Sequence, residues 1–107
     1  MDFCGYTVTA GGNMTLTLPC FFGEEDACRM NRFYDAAMAE LYRYGMTLTE
    51  NERRAGFFCR FAADEDDGIV TVRLELTYRR PGAPSVRKTV VHRWRDGFLL
   101  RERKSPV

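Results

Sequence analysis

The stretch Glu24–Tyr44, EEDACRMNRFYDAAMAELYRY, decides the fold. Ala27, Met30, Tyr34, Ala37, Leu41 and Tyr44 recur at spacings of three and four residues. Phe33 and Met38 widen this stripe, and Arg32, Asp35, Glu40 and Arg43 lie opposite it. Such a period predicts a helix with one buried face. Glu24, Glu25 and Asp26 are expected in its first turn, where carboxylates complement the positive end of the helix dipole. Gly45 is expected to end it in the left-handed conformation that glycine adopts without steric cost.

Both flanks alternate with the two-residue period of strands. Cys4, Tyr6, Val8 and Ala10 make one apolar face, and Met14, Leu16, Leu18 and Cys20 the next, with Gly11-Gly12-Asn13 as the turn between them. Pro19 cannot donate to a ladder, so this second strand is expected at an edge or to end there. After the helix, Met46–Arg54 reads as a connection with a short extended piece at Thr47–Thr49. Phe57, Cys59 and Phe61 alternate with Phe58, Arg60 and Ala62, apolar enough on both sides for a central strand. Asp64–Gly68 reads as a charged turn. Val70, Val72, Leu74, Leu76 and Tyr78 give the cleanest alternation in the chain, against Thr71, Arg73, Glu75, Thr77 and Arg79. Pro81-Gly82-Ala83-Pro84 forms the next turn. Val86, Lys88, Val90, His92 and Trp94 share one face of a last long strand. Asp96-Gly97 is a two-residue hairpin signal into Phe98-Leu99-Leu100, and Arg101–Val107 is a polar, frayed tail.

The order strand, strand, helix, then strands predicts an α+β fold. The expected architecture is one long helix packed on a curved antiparallel sheet of four to six strands, cystatin-like, in a single domain over residues 1–107. No apolar run approaches the roughly 20 residues that span a membrane, and Met1–Thr9 lacks the features of a signal peptide. The expected location is therefore the cytoplasm. Cys4, Cys20, Cys28 and Cys59 are read as reduced, mostly buried thiols, because no close pair of the kind that builds a zinc knuckle occurs.

The net charge is only +1, but it is unevenly spread. Met1–Thr71 holds 6 basic and 12 acidic residues, a net of −6, whereas Val72–Val107 holds 10 basic and 3 acidic, a net of +7. Arg73, Arg79, Arg87, Arg93 and Arg95 are expected on one side of two paired strands, and this set is the candidate partner-binding face. Arginines beside an exposed Phe58 could also serve nucleic acid, although Glu75 shares that face. His92 is the only histidine, and nothing in its spacing from the cysteines specifies a nucleophile and base. Asp64–Asp67 does not place glycine at the sixth position of a calcium loop. No catalytic residue, cofactor or metal is expected.

One stretch resembles a known family. Leu16-Thr17-Leu18-Pro19, followed by Phe21, Gly23 and Arg29-Met30-Asn31-Arg32-Phe33-Tyr34, is similar to the strand, proline and helix opening of the RsiV-type domain. That domain occurs in bacterial anti-sigma factors and in uncharacterised bacterial proteins. The resemblance spans roughly Met14–Trp94 and implies one helix against a curved antiparallel sheet. Its best-known members bind lysozyme; no lysozyme-contacting residue is carried over. The expected function is a small non-enzymatic bacterial binding domain, with a protein partner or a second copy of the chain, engaged through the sheet face or an edge strand. The alternative is a nucleic-acid-binding domain using the basic C-terminal strands.

Overall fold

The computed structural model describes residues 1–11, 13–48, 56–79 and 82–100. Its elements are β1 (Asp2–Ala10), β2 (Met14–Phe22), α1 (Ala27–Thr47), β3 (Phe57–Asp66), β4 (Ile69–Tyr78), β5 (Val86–Arg95) and β6 (Phe98–Leu99). The strands form one curled sheet in chain order, with α1 packed against one face. Among the described residues no helix is long and apolar enough to cross a membrane.

Four of the five strand pairs are antiparallel, as the short turns dictate. The β3–β4 and β5–β6 turns are Asp67-Gly68 and Asp96-Gly97, with φ of 51° and 76° in each. Positive φ at both central residues matches the twist of the flanking strands. Asp64–Asp66, expected in the first of these turns, instead continue β3. The expectation of an all-antiparallel sheet needs one further correction: β2 and β3 are parallel, through Met14–Leu16 and Phe57–Cys59. Helix α1 carries the chain back along the sheet, so β3 starts beside the start of β2 and runs the same way. Parallel neighbours require a crossover of this kind.

The β2–β3 pairing stops at Leu16, while β2 runs on through Pro19 to Phe22. Pro19 therefore neither ends its strand nor lies in an edge strand. It stands where β2 is paired with β1 alone, and it is buried there. Two residues on, Asn31 of α1 takes the place of the missing strand. Its Oδ1 accepts the Phe21 N–H at 2.8 Å and its Nδ2 donates to the Phe21 carbonyl at 2.9 Å. Phe21 and Pro19, two residues apart in a strand, send their backbone groups to the same side. The proline thus has no donor to lose where β3 has departed, and the next such position is satisfied by an amide. Phe3, Phe21 and Phe61 pack into this seam, with Phe3 6.1 Å from each of the other two rings.

Helix α1 begins with the periodic stripe at Ala27, three residues after the expected start at Glu24, and runs through Gly45 to Thr47. The Ala27 N–H bonds the Glu24 carbonyl, so Glu24–Asp26 form a turn before the helix, and its first turn carries no acid. Thr47, expected in an extended piece, closes the last turn; 49–55 lie outside the described residues. Gly45 is helical and buried, for a packing reason. A Cβ there would sit 2.2 Å from the Met14 sulfur and 3.4 Å from the Phe57 ring. The core runs through Met14, Leu16 and Leu18 of β2, Met30, Tyr34 and Met38 of α1, Phe57 and Cys59 of β3, Val72 of β4 and Trp94 of β5. Leu41 is only half-buried and Tyr44 is exposed, because both line a cleft between α1 and strands β4 and β5, although the Tyr44 ring still meets Tyr78 of β4.

Gly45→Ala gives a direct test of this close approach. In an exposed helix that change stabilises by about 1 kcal/mol. Here it should destabilise by roughly 1–3 kcal/mol, the usual effect of overpacking, and Met14→Val should recover part of the loss. A denaturation series in which Gly45→Ala is neutral or stabilising would refute the packing role.

Candidate interaction surface

Helix α1 crosses the sheet obliquely enough to leave a wedge beside β5. At its closed end Tyr34 is fully buried and Trp94 nearly so. Gly97 packs on Asp26, and the Arg29 guanidinium lies 3.9 Å from the centre of the Phe98 ring, which fastens the β5–β6 turn to the start of α1. Towards the other end of β5 the helix and sheet separate into a cleft of about 470 Å³. Its walls are mainly apolar, including Phe33, Leu41, Leu74 and Val90, with Glu40 and Lys88 among the lining residues. Lys88 has no ion-pair partner among the described residues.

His92 lines the cleft next to its closed end, and its protonation follows from the donor inventory. Indole nitrogen can only donate, so Trp94 Nε1–H donates to the Tyr34 hydroxyl at 2.9 Å. That hydroxyl is 3.2 Å from His92 Nδ1 and donates its own proton there. Nδ1 is then an acceptor, and the neutral ring carries its proton on Nε2. Burial works the same way, lowering the His92 pKa from its ordinary 6.5 and raising that of Tyr34 from 10.0. Phe33 meets His92, Tyr34 and Trp94 edge-on, with centroids 5.0–5.1 Å apart. Sequence reading places His92 and Trp94 on one face of a strand. It has no signal for Tyr34 as their shared partner, because the contact spans the whole α1–β4 excursion.

On the outer face, register settles which charges are neighbours. Phe58, Thr77 and Arg87 lie side by side across β3, β4 and β5, as do Arg60, Glu75 and Thr89, and Ala62, Arg73 and Val91. Arg73, Arg87, Arg93 and Arg95 therefore share the outer face. Arg79 stands just beyond β4 and donates to the Ala83 carbonyl at 3.3 Å. Glu75 accepts from Arg60 at 2.7 Å and lies 3.7 Å from Arg87. Asp64 and Asp66 occupy the same face of β3, so this is a mixed surface rather than a uniformly cationic one.

An edge that the described residues leave partly uncovered distinguishes β5 from the other basic strand. β6 pairs only with Trp94 and Arg95, followed by the Leu100 N–H bonding the Arg93 carbonyl at 2.8 Å. Alternate residues present their backbone groups to alternate sides. Arg87, Thr89 and Val91 share the parity of Arg93, so they direct N–H and C=O outward, and among the described residues nothing pairs with them. Val90 and Val91 are 48% and 43% exposed, one on each face.

The cysteines depart from the expectation of mostly buried thiols. Only Cys59 is buried, and burial pushes its pKa up to about 11. Cys4 and Cys28 are exposed and Cys20 is half-buried; all four are free. Cys4 and Cys20 face each other across β1 and β2. Among the described residues no three His, Cys, Asp or Glu side chains converge as a metal site. No family model matches this chain, and no curated protein matches it either.

Two measurements follow from these contacts. Because folding lowers the His92 pKa, the unfolded chain takes up this proton first on acidification. The resulting stabilisation is complete above about pH 6.5 and is lost as pH falls through the lowered value. Unfolding free energy should therefore decline from about pH 7 towards pH 5, and His92→Gln, which still accepts from Tyr34 but does not titrate, should lack that component. An unchanged slope would assign the titration elsewhere. For the cysteines, mild oxidation should join Cys4 to Cys20 in preference to any pair involving Cys28 or Cys59. Directly opposed strand residues meet the spacing a disulfide needs, and closing this loop should raise stability by up to about 3 kcal/mol. Peptide mapping that finds another pairing would contradict it.

Proposed function

We propose that this chain is a small, non-enzymatic protein-binding domain that receives its partner along the free edge of β5. The observation that carries this reading is the outward ladder of Arg87, Thr89 and Val91, flanked by exposed valines on both faces. Such an edge can accept an added strand, with main-chain bonds giving affinity and alternate side chains giving specificity. Two features among the described residues support a binding role over a catalytic one. His92 Nδ1 is engaged by Tyr34, and the cleft it lines holds neither serine nor cysteine. A helix laid over a curled sheet is cystatin-like in outline, and the resemblance to the bacterial RsiV-type domain fits a binding role. The parallel β2–β3 pair departs from the purely antiparallel form of that expectation. For a second copy at this edge, like charge disfavours the two-fold register centred on Val90, which sets Arg87 against Arg93 and Lys88 against His92.

Selection from an unbiased displayed-peptide library, followed by amide exchange on the complexes, tests the reading. Selected peptides should slow exchange at Arg87, Thr89 and Val91, the three outward amides. Peptides that bind while leaving these amides unprotected would overturn the edge assignment. Salt-sensitive oligonucleotide binding that perturbs Arg73, Arg87, Arg93 and Phe58, with no peptide selected, would replace it with the nucleic-acid alternative.

A further inference from the structure

We infer that two copies of this chain join through β1, as a two-fold antiparallel pair of β1 strands centred on Tyr6 that carries the sheet from one copy into the other. The inference stands apart from the β5 reading, because β1 is the opposite margin of the sheet. Asn31 reveals which groups of β1 face outward. It takes up both backbone groups of Phe21, so those groups point away from β1. Phe3 is the β1 residue opposite Phe21. In an antiparallel ladder two opposed residues either exchange both bonds or both turn their groups away. Phe3 therefore presents its N–H and C=O to the outer margin, and so do Gly5, Thr7 and Thr9, which share its parity. Pro19 agrees, since it stands opposite Gly5, where no donor towards β1 is needed. Among the described residues no backbone bond reaches these outward groups.

β1 lacks the devices that ordinarily blunt an edge. It pairs with β2 without a bulge over all 9 residues, contains no proline or lysine, and carries one charge, Asp2, at its first position. Its residues suit a second copy of themselves. With Tyr6 on the dyad, Asp2 meets Ala10, Phe3 meets Thr9, Cys4 meets Val8 and Gly5 meets Thr7 of the second copy. The whole strand is then paired, and no opposed pair carries like charges. Phe3 with Thr9 and Gly5 with Thr7, each pair occurring twice, exchange two bonds apiece. A dyad at Gly5 would instead set Thr9 against Met1, before the strand, and one at Thr7 would set Phe3 against Gly11, in the turn. The helix side of the seam is self-complementary as well. Tyr6 and Val8 form with Met38 and Tyr42 of α1 a mainly apolar groove of about 450 Å³, whose charged residues are Asp35 and Arg43. The helix runs in the same sense as β1, so the dyad lays the Asp35 end of one groove alongside the Arg43 end of the other. Opposite charges at both ends fix the register, and the apolar groove between them loses contact with water.

Sedimentation velocity of the full chain over a concentration series, with its thiols kept reduced, should show a monomer–dimer equilibrium. Amide exchange should slow with concentration at Phe3, Gly5, Thr7 and Thr9 together, and protection at both Phe3 and Thr9 places the dyad at Tyr6. Thr7→Pro removes an outward donor that makes no bond to β2, a position an edge strand tolerates. The dyad loses two bonds by this change, so dimer affinity should fall roughly tenfold or more. Ala10→Asp sets a carboxylate against Asp2 at both ends of the seam and should weaken the dimer severalfold, whereas Ala10→Lys should tighten it by a similar factor. Thermal melting establishes that each variant folds. Should Thr7→Pro not fold, the opposite responses of the two Ala10 variants decide the question alone. A chain that stays monomeric throughout the series would overturn the inference. So would a dimer whose protected amides lie outside β1, or one whose affinity is unchanged in every folded variant.

Discussion

Everything in this domain depends on where α1 lies across the sheet, and two residues one turn apart fix it. Asn31 bonds both backbone groups of Phe21, on the side of β2 that β3 has left. Tyr34 accepts from Trp94 and donates to His92 on β5, far across the sheet. The helix is thus tied to an early and a late strand by directional bonds, and the apolar core between them follows. Tyr6 adds a third tie, its hydroxyl 3.1 Å from an Asp35 carboxylate oxygen, and burial with that carboxylate raises its pKa to about 12. These polar contacts lie at or beside the core, where an unmet donor costs roughly 1–3 kcal/mol. A shifted helix would leave several of them unmet together.

The same placement explains the asymmetry of the two halves of α1. Its N-terminal half is held close to the sheet by Met30, Tyr34 and the β5–β6 turn. The C-terminal half is anchored by Gly45 against Met14 and Phe57 and by the Tyr44 ring against Phe57 and Tyr78. On the β4–β5 side Tyr44 meets Tyr78 at the end of the helix, and between that pair and Phe33 only Ala37 and Leu41 face Leu74, Leu76 and Val90 across the cleft. The cleft is therefore a consequence of the crossing geometry, bounded by side chains whose main work is to hold the core together.

Much of the fold is legible in the sequence because hydrophobic period and turn chemistry are local. The stripe from Ala27 to Tyr44, the alternation of Val70–Tyr78 and the two Asp-Gly turns each carry their own signal. Strand direction does not. A two-residue period is identical in parallel and antiparallel pairs, so the β2–β3 orientation depends on where the helix deposits the chain. Gly45 misleads for a related reason: glycine serves left-handed backbone and close packing alike, and only the neighbouring Met14 tells which applies. Of the candidate surface, the arginine parity of β4 and β5 can be read directly. The uncovered stretch of the β5 edge cannot, because it depends on β6 pairing, among the described residues, with Trp94 and Arg95 alone.

An exposed edge strand is ordinarily a liability, since it pairs with whatever extended segment it meets. Cationic side chains on β5 limit that hazard by repelling a second copy and other basic segments. They do not cap the ladder, however, and a device intended only for protection would gain from a proline or a bulge at Arg87, Thr89 or Val91, where the outward N–H groups lie. The strand instead remains regular through all ten residues in register with β4. It also keeps a valine exposed on each face at its midpoint, where burying apolar surface against an added strand would be favourable. Regular backbone, donors that no described residue covers and the cations of β5 together narrow the set of segments that can add to β5 without closing the edge to all of them.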